Sequence, residues 1–215
     1  IFYRQLLEYK KEKYFIFSKM TVMCLAIAIL LSRVMRASVM KSGMPAMYLM
    51  GIILYMTLVL SGYVGKWENE LKSPYLFLIP DSPVKKLWYA TLMEHIKALV
   101  DGCIFCIPLG VAWKISPVQI VLAILTYAVL QANRMYTMVI SQCLLGESLG
   151  KTGQGIVRAL IQMTILGIGA AISVVAGLVI SIDLVFPIIL IYSMIVTVAI
   201  GLLASIRFHS MEQLV

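Results

Sequence analysis

Charged residues are scarce in this sequence: only 13% of its 215 residues are Asp, Glu, Lys or Arg, whereas 61% are hydrophobic. A soluble domain carries roughly 25% charged and 45–50% apolar residues, so the composition excludes an ordinary water-soluble fold. The apolar residues form long continuous runs and not the alternating segments of about 10 residues that a transmembrane barrel needs. Since one bilayer span takes about 20 apolar residues, the chain has room for several transmembrane helices.

Histidine and cysteine are also few, with two and four residues. The cysteines, Cys24, Cys103, Cys106 and Cys143, lie in or beside apolar runs, which is not the pattern of a secreted disulfide framework. Cys103 and Cys106 would share a helix face, but a zinc site needs two more ligands and only His95 lies near. We therefore expect these cysteines to pack in the core, with no metal site and no catalytic set in the chain.

Six apolar segments predict an all-α integral membrane protein with six transmembrane helices. The transmembrane domain covers residues 15–206, and residues 207–215 form a short polar tail. Residues 1–14 mix aromatic and aliphatic side chains with Arg4 and several lysines, which is typical of an amphipathic helix in the membrane interface. The predicted spans are 15–35, 44–65, a third that is fully apolar from Gly102 to Trp113, 117–141, 156–180 and 184–206.

The distribution of Lys and Arg predicts the orientation. With the N-terminus in the cytoplasm, 14 of the 18 basic residues lie on the cytoplasmic side and four, Arg33, Arg36, Lys41 and Lys114, lie outside. This asymmetry follows the positive-inside rule. We therefore expect both termini and residues 66–97 and 142–158 to be cytoplasmic. The same clustering at span ends accounts for the net charge of +8 without a nucleic-acid partner.

One stretch resembles a nucleotide-binding motif without matching it. Residues 146–152 read GESLGKT, which leaves three residues between Gly146 and Gly150 where the phosphate-binding loop requires four. The stretch also lies between two spans and not between a buried strand and a soluble helix. We therefore expect a cytoplasmic turn and no nucleotide cofactor bound by this chain.

Ionisable residues within the spans are candidates for a pathway or a gate, because a charge at membrane depth is costly. Glu94, Lys97 and Asp101 share one helix face at spacings of three and four residues. Arg134 lies about 25 Å along its span from Pro117, at a depth that Asp101 could also occupy. Two interpretations stay open: a salt bridge between neighbouring helices, or a role in a translocation path.

The segment from Glu70 to Gly102, ELKSPYLFLIPDSPVKKLWYATLMEHIKALVDG, resembles the permeases of type-2 ATP-binding-cassette (ABC) exporters, most closely the bacterial putative ABC exporter family. Members of this class have an N-terminal interfacial helix, six spans and a coupling helix between the second and third spans, an order that covers most of this chain. The class often has re-entrant helices between its last two spans. Here only Ser181–Asp183 clearly interrupts them, so such helices would come from residues 170–190.

The resemblance implies a permease in the bacterial cytoplasmic (inner) membrane that moves a hydrophobic or amphipathic substrate outward. It implies a separate soluble ABC ATPase, which would bind the ATP and magnesium, and a second permease subunit or half. Membrane lipid would surround the assembly. Two alternatives stay open: a membrane scaffold subunit that does not transport, and an intramembrane enzyme that uses Glu94, His95 and Asp101.

The resemblance also makes residues 66–88 the loop that couples the bundle to the ATPase. Prolines in this loop fix the backbone and lower the ordering cost of binding, and an aromatic and aliphatic run from Tyr75 supplies anchors of the kind that dominate binding energy. Asp81 or Ser82 could cap a helix that starts at Pro83, while two lysines could lie at the headgroup boundary or pair with acidic ATPase residues. The coupling candidates are Tyr75, Phe77, Ile79, Pro80, Asp81, Ser82, Pro83, Lys85 and Lys86.

Overall fold

A computed structural model of the chain describes residues 19–60, 82–145 and 150–212. Over these ranges every regular element is a helix, and short turns join the helices. The predicted interfacial helix of residues 1–14 and the coupling loop up to residue 81 lie outside the described residues. The seven α-helices are α1 Lys19–Val34, α2 Arg36–Ser42, α3 Pro45–Leu60, α4 Pro83–Ala112, α5 Pro117–Leu145, α6 Gly150–Val179 and α7 Val185–Glu212.

Four segments in the described part of the chain are long and apolar enough to cross a membrane. Helices α1 and α2 together form a fifth if the pair, which is bent by 59°, counts as one span. The apolar part of α3, Pro45–Val59, is shorter than these four. An all-helical, multi-pass membrane protein is therefore confirmed, whereas the count of six spans stays a prediction. The four segments are Val84–Ala112, Pro117–Ser141, Gly153–Val179 and Ile182–Ile206.

Prolines mark the start of three helices, at Pro45, Pro83 and Pro117, and the starts at Pro83 and at residue 117 agree with the prediction. Proline suits the first turn of a helix because the backbone N–H that it lacks has no intrahelical partner there. Gly43, with φ of 69°, closes α2 in the left-handed conformation, which glycine adopts without steric cost. The positions of these residues therefore fix the bounds of the helices locally.

The connection between the last two spans is a tight turn. Helix α6 continues to Val179, and a single 3₁₀ turn, Ile182–Leu184, precedes α7. The Ser181 side chain accepts a hydrogen bond of 3.2 Å from the backbone N–H of Asp183. The interruption predicted at Ser181–Asp183 is confirmed, and residues 170–190 contain no re-entrant helix.

The bundle has two apolar clusters at different depths along α4. The larger, here called the apolar core, lies toward the end of α4 that carries Trp113 and includes Phe105, Leu109 and Phe186. The smaller, here called the lower cluster, lies toward the Pro83 end and joins α4, α5 and α7. It consists of Leu87, Ala90, Met135, Tyr136, Met138, Val139 and Ala204.

Small residues let α4 approach α5 closely at two levels. A Cβ atom added at Gly110 would lie 2.5 Å from two side-chain carbons of Ile120, and one at Gly102 would lie 3.1 Å from the ring of Tyr127. Such contacts matter in a membrane because packing, and not water exclusion, drives helix association there. The α4–α5 separation therefore depends on the absence of a side chain at Gly110.

Gly110→Ala is predicted to lower the free energy of unfolding by about 1–3 kcal/mol, because the added methyl group overpacks the contact with Ile120. Gly167→Ala is the matched control: its Cβ would meet nothing within 4 Å, so the better helix propensity of alanine should leave stability equal or raised by up to about 1 kcal/mol. Thermal or denaturant unfolding in detergent measures both. Equal stability of the two variants would show that Gly110 is not a close-contact position.

Candidate functional site

Buried polar side chains are concentrated in the half of the bundle toward the Pro83 end. They come from six helices, α1 and α3–α7, and most lie on α5 and α6. Polar groups inside a membrane bundle are costly and usually have a partner or a function. This polar half therefore contains the candidate functional site. Its buried members on α4–α7 include Lys86, Thr91, Gln131, Asn133, Thr137, Ser141, Arg158, Gln162, Thr197 and Ser205.

A hydrogen-bonded chain of three side chains joins α4 to α5. His95 Nε2 lies 3.2 Å from the Tyr136 hydroxyl and 3.2 Å from the Thr91 hydroxyl. Thr91 is in turn bonded to the backbone carbonyl of Leu87, at 3.0 Å, and the Trp88 ring lies 5.1 Å from the His95 ring. These bonds give His95 Nε2 and the Tyr136 hydroxyl partners within the protein.

A second polar contact joins α5 to α7. Asn133 is fully buried, and its Nδ2 donates a hydrogen bond of 3.3 Å to the Thr197 hydroxyl. Thr197 Oγ1 also lies 3.5 Å from the Val129 carbonyl oxygen. The Asn133 Oδ1 atom is buried, and within the described structure it has no hydrogen-bond partner. One acceptor in this contact is therefore left to be satisfied by another group.

Gln162 of α6 is a buried amide with both polar atoms unsatisfied. The side chain is fully buried, and neither its Nε2 nor its Oε1 has a hydrogen-bond partner in the part of the chain that the structure describes. Tyr192 of α7 donates a 3.1 Å hydrogen bond to the Ile165 carbonyl, so the register of α6 against α7 places Gln162 within about one turn of the depth of Thr197. The unsatisfied atoms of α5 and α6 thus lie at a similar depth.

Asp101 bonds to α1 and faces away from His95. The Thr21 hydroxyl donates a 2.7 Å hydrogen bond to Asp101 Oδ1, and the charges of Lys97 and Glu94 also act on this carboxylate. The predicted common face of Glu94, Lys97 and Asp101 fits this arrangement. His95, six residues earlier, faces α5 instead. The structure therefore does not bring His95 and Asp101 together.

Arg134 and Asp101 lie at different depths. Gly102 of α4 packs against Tyr127 of α5, and Arg134 lies seven residues further along α5, which is about 10 Å at the rise of an α-helix. Arg134 is half-buried. The prediction estimated the depth of Arg134 from Pro117 alone and did not know where α4 packs against α5. The hydrogen-bond partner of Asp101 is Thr21 of α1 and not Arg134.

Only the end of the predicted coupling segment lies within the described residues. Pro83 begins α4, as predicted, and Ser82 occupies the N-cap position, but the Ser82 side chain makes no capping hydrogen bond. Lys85 is exposed, whereas Lys86 is 4% exposed, because the first turn of α4 directs Lys86 and Leu87 toward the bundle. The other candidates, Tyr75, Phe77, Ile79, Pro80 and Asp81, lie outside the described residues.

Cys106 packs in the apolar core, and Cys103 is half-buried beside it. Both are free thiols, in agreement with core packing. Among the described residues, no group of three His, Cys, Asp or Glu side chains could hold a metal ion.

An apolar groove, here called the lateral groove, opens on the side of the bundle between α4, α5 and α7. Its volume is about 400 Å³. It is lined by Val84 and Trp88 of α4 and by Val198 and Leu202 of α7, whose side chains are 49–61% exposed on the outer surface. His95, Tyr136 and Thr197 form its inner wall, so the groove lies directly against the two polar contacts.

Sequence reasoning overlooked most of the polar contacts. Thr91, Tyr136 and Thr197 are ordinary members of apolar spans, and only the packing of the helices reveals their partners. A partial signal was present: Asn133, Thr137 and Ser141 recur every fourth residue on α5, as do Arg158 and Gln162 on α6, which places each set on one helix face. A polar face on two neighbouring spans could therefore have been predicted.

Thr21→Val is predicted to lower the free energy of unfolding by about 1–3 kcal/mol, because it leaves a half-buried carboxylate without its hydroxyl donor. Thr164→Val is the matched control, since the Thr164 hydroxyl bonds only locally, to the Leu160 carbonyl of its own helix. Denaturant unfolding in detergent measures both variants. The acceptor is removed in Asp101→Ala, so if Thr21→Val costs as much in the Asp101→Ala background as it does with Asp101 present, the bond does not hold α1 to α4.

A family model described as "Putative ABC exporter" matches residues 1–212, which is nearly the whole chain. No curated protein and no solved structure matches the sequence. The family match covers all of the helices described above.

Proposed function

Because the chain belongs to the putative ABC exporter family, we propose that it is the membrane-spanning permease subunit of an ATP-driven exporter. In this proposal a separate soluble ABC ATPase supplies the energy, and it binds the ATP and magnesium. The permease moves a hydrophobic or amphipathic substrate outward across the bacterial cytoplasmic membrane. The family match over residues 1–212 is the observation that carries this proposal.

Helix α4 supports the proposal because it is suited to transmit force. It runs for 30 residues from Pro83 to Ala112, about 45 Å at the rise of an α-helix, and its first turn is the end of the proposed coupling loop. Its first turns contribute Leu87 and Ala90 to the lower cluster, and its last turns contribute Leu109 to the apolar core. A displacement of the Pro83 end would therefore act on both clusters through one continuous element.

The polar half of the bundle supports a pathway on the Pro83 side. Unsatisfied buried atoms at Asn133 and Gln162 cost free energy in a dry interior, and water or a polar substrate group would satisfy them if the helices separated. We assign this half to the cytoplasmic side, since the positive-inside rule places residues 66–97 there. The second six-span half of the exporter would be another permease subunit.

The arrangement of the ionisable groups favours transport over intramembrane catalysis. An enzyme that used His95 and Asp101 would need them near one reacting atom, but His95 bonds to Tyr136 of α5 while Asp101 bonds to Thr21 of α1. A scaffold that does not transport differs from an exporter in one measurable respect: its ATPase partner would not respond to substrate.

Alanine at Tyr75, Ile79 and Asp81 together is predicted to weaken copurification with the ATPase or to abolish the stimulation of ATP hydrolysis by substrate, because it removes the anchors of the coupling loop. Asp183→Ala is the control, since Asp183 is exposed and bonds to Gln119 at the opposite end of the bundle. Normal assembly and normal transport by the triple variant would contradict the coupling assignment.

Gln162→Leu is predicted to raise the free energy of unfolding by about 1–3 kcal/mol, because leucine removes a buried amide whose two polar atoms are unsatisfied. The same variant should lower substrate-stimulated ATP hydrolysis if Gln162 contributes to the pathway. Met163→Leu, at an adjacent position that is 57% exposed, should change neither quantity. A Gln162→Leu protein that is more stable and fully active would remove Gln162 from the pathway.

A further inference from the structure

The lateral groove has the dimensions of a site for one extended chain. On α4 it runs from Val84 to Leu99, fifteen residues or about 22 Å at the rise of an α-helix. Half of the hydrocarbon thickness of a bilayer is about 15 Å, so the groove is long enough for a hydrocarbon chain of one leaflet. Its volume of about 400 Å³ over that length makes it long and narrow, which suits an unbranched chain better than a compact ring system.

The wall of the groove is chemically suited to hydrocarbon. Val84, Leu87, Leu99 and Leu202 present aliphatic groups. The polar side chains in the lining have partners within the protein. His95 Nε2 and the Tyr136 hydroxyl bond to each other at 3.2 Å, the Thr197 hydroxyl accepts from Asn133, and the Ser205 hydroxyl donates to the Leu202 carbonyl. A chain lying in the groove would therefore contact carbon along most of its length, and each buried methylene contributes favourably to binding.

The mouth of the groove at the Pro83 end carries positive charge. Lys85 is exposed and directly follows the groove residue Val84. A basic residue beside the headgroup region attracts anionic lipid headgroups. The residues that line the groove at its opposite end, Leu99, Ala128 and Val129, are apolar, so a charged headgroup fits better at the Lys85 end.

We infer that the lateral groove binds a single-chain anionic amphiphile, with its hydrocarbon chain along α4 from Val84 toward Leu99 and its headgroup beside Lys85. The occupant is a long-chain acid and not a two-chain phospholipid, because the groove offers room for one chain. The inference goes beyond export: it concerns binding to this chain alone and holds without the ATPase.

Trp88 provides a direct reporter, since it lines the groove and is 49% exposed. The probe is a 16-carbon fatty acid brominated either near its carboxylate or near its terminal methyl group, titrated into the full chain in a non-ionic detergent. We expect saturable quenching that Trp88→Phe removes. Bromine near the carboxylate should quench more strongly, because Trp88 lies about 6 Å along α4 from Val84. Stronger quenching by terminal bromine would overturn the assigned orientation.

Val198→Phe is expected to raise the apparent Kd about tenfold, because excluding two buried methylenes suffices for that change. Ile195→Phe is the matched control: the two side chains are 61% and 66% exposed on the same helix, but only Val198 lines the groove. Leu202→Phe and Leu203→Phe, at 54% and 56% exposed, repeat the comparison. Circular dichroism checks folding, and equal Kd values within both pairs would overturn the site.

The headgroup assignment has its own test. Lys85→Gln should weaken binding of the brominated acid about fivefold, given roughly 1 kcal/mol for one lysine near an anionic surface, and should leave binding of its methyl ester unchanged. Lys114→Gln, exposed at the other end of the bundle, should affect neither probe. Equal effects on acid and ester would overturn the anionic headgroup, and displacement of the acid by a two-chain phospholipid at equal concentration would overturn the single-chain occupant.

Discussion

The packing of α4 against α5 is the contact on which the rest of the described bundle depends. Because a membrane offers no hydrophobic force between helices, their association relies on close contact and hydrogen bonds. Gly110 and Gly102 permit that contact toward the Trp113 end, and the bond between His95 and Tyr136 continues it toward the Pro83 end. Two further helices bond to this pair: α7 to α5 through Asn133 and Thr197, and α1 to α4 through Thr21 and Asp101.

The apolar core and the polar half of the bundle differ in whether their buried side chains need hydrogen-bond partners. In the apolar core, Phe105, Leu109 and Phe186 are buried and need no partner beyond close packing. In the polar half, each buried donor or acceptor costs free energy until another group satisfies it, and Gln162 is left unsatisfied. The apolar core also leaves one buried polar atom, Trp113 Nε1, without a partner among the described residues, but the polar half leaves more of them, at Gln131, Asn133, Thr137 and Gln162. The polar half therefore has more to gain from a rearrangement that admits water or a polar ligand.

The sequence predicts the helices well because their bounds are set locally. Pro45, Pro83 and Pro117 start helices for reasons of backbone geometry that do not depend on the rest of the fold, and long apolar runs require helices wherever lipid must be crossed. The contacts between helices are different in kind. The depth of Arg134 relative to Asp101 depends on the alignment of α4 with α5, which the contact between Gly102 and Tyr127 sets. The pattern of residues within one span carries no information about its alignment with another span.

The proposed coupling element and the lateral groove share α4, which links their energetics. Val84 and Trp88 of the groove lie on the first two turns of the helix, which are also the last residues of the segment 66–88 proposed to receive force from the ATPase. The opposite wall is formed by Val198 and Leu202 of α7. Any displacement of the Pro83 end of α4 relative to α7 therefore changes the width of the groove. A ligand that binds more tightly at one width of the groove therefore shifts α4 and α7 toward the separation that gives this width. Binding in the groove and force at the coupling loop thus act on the same α4–α7 separation.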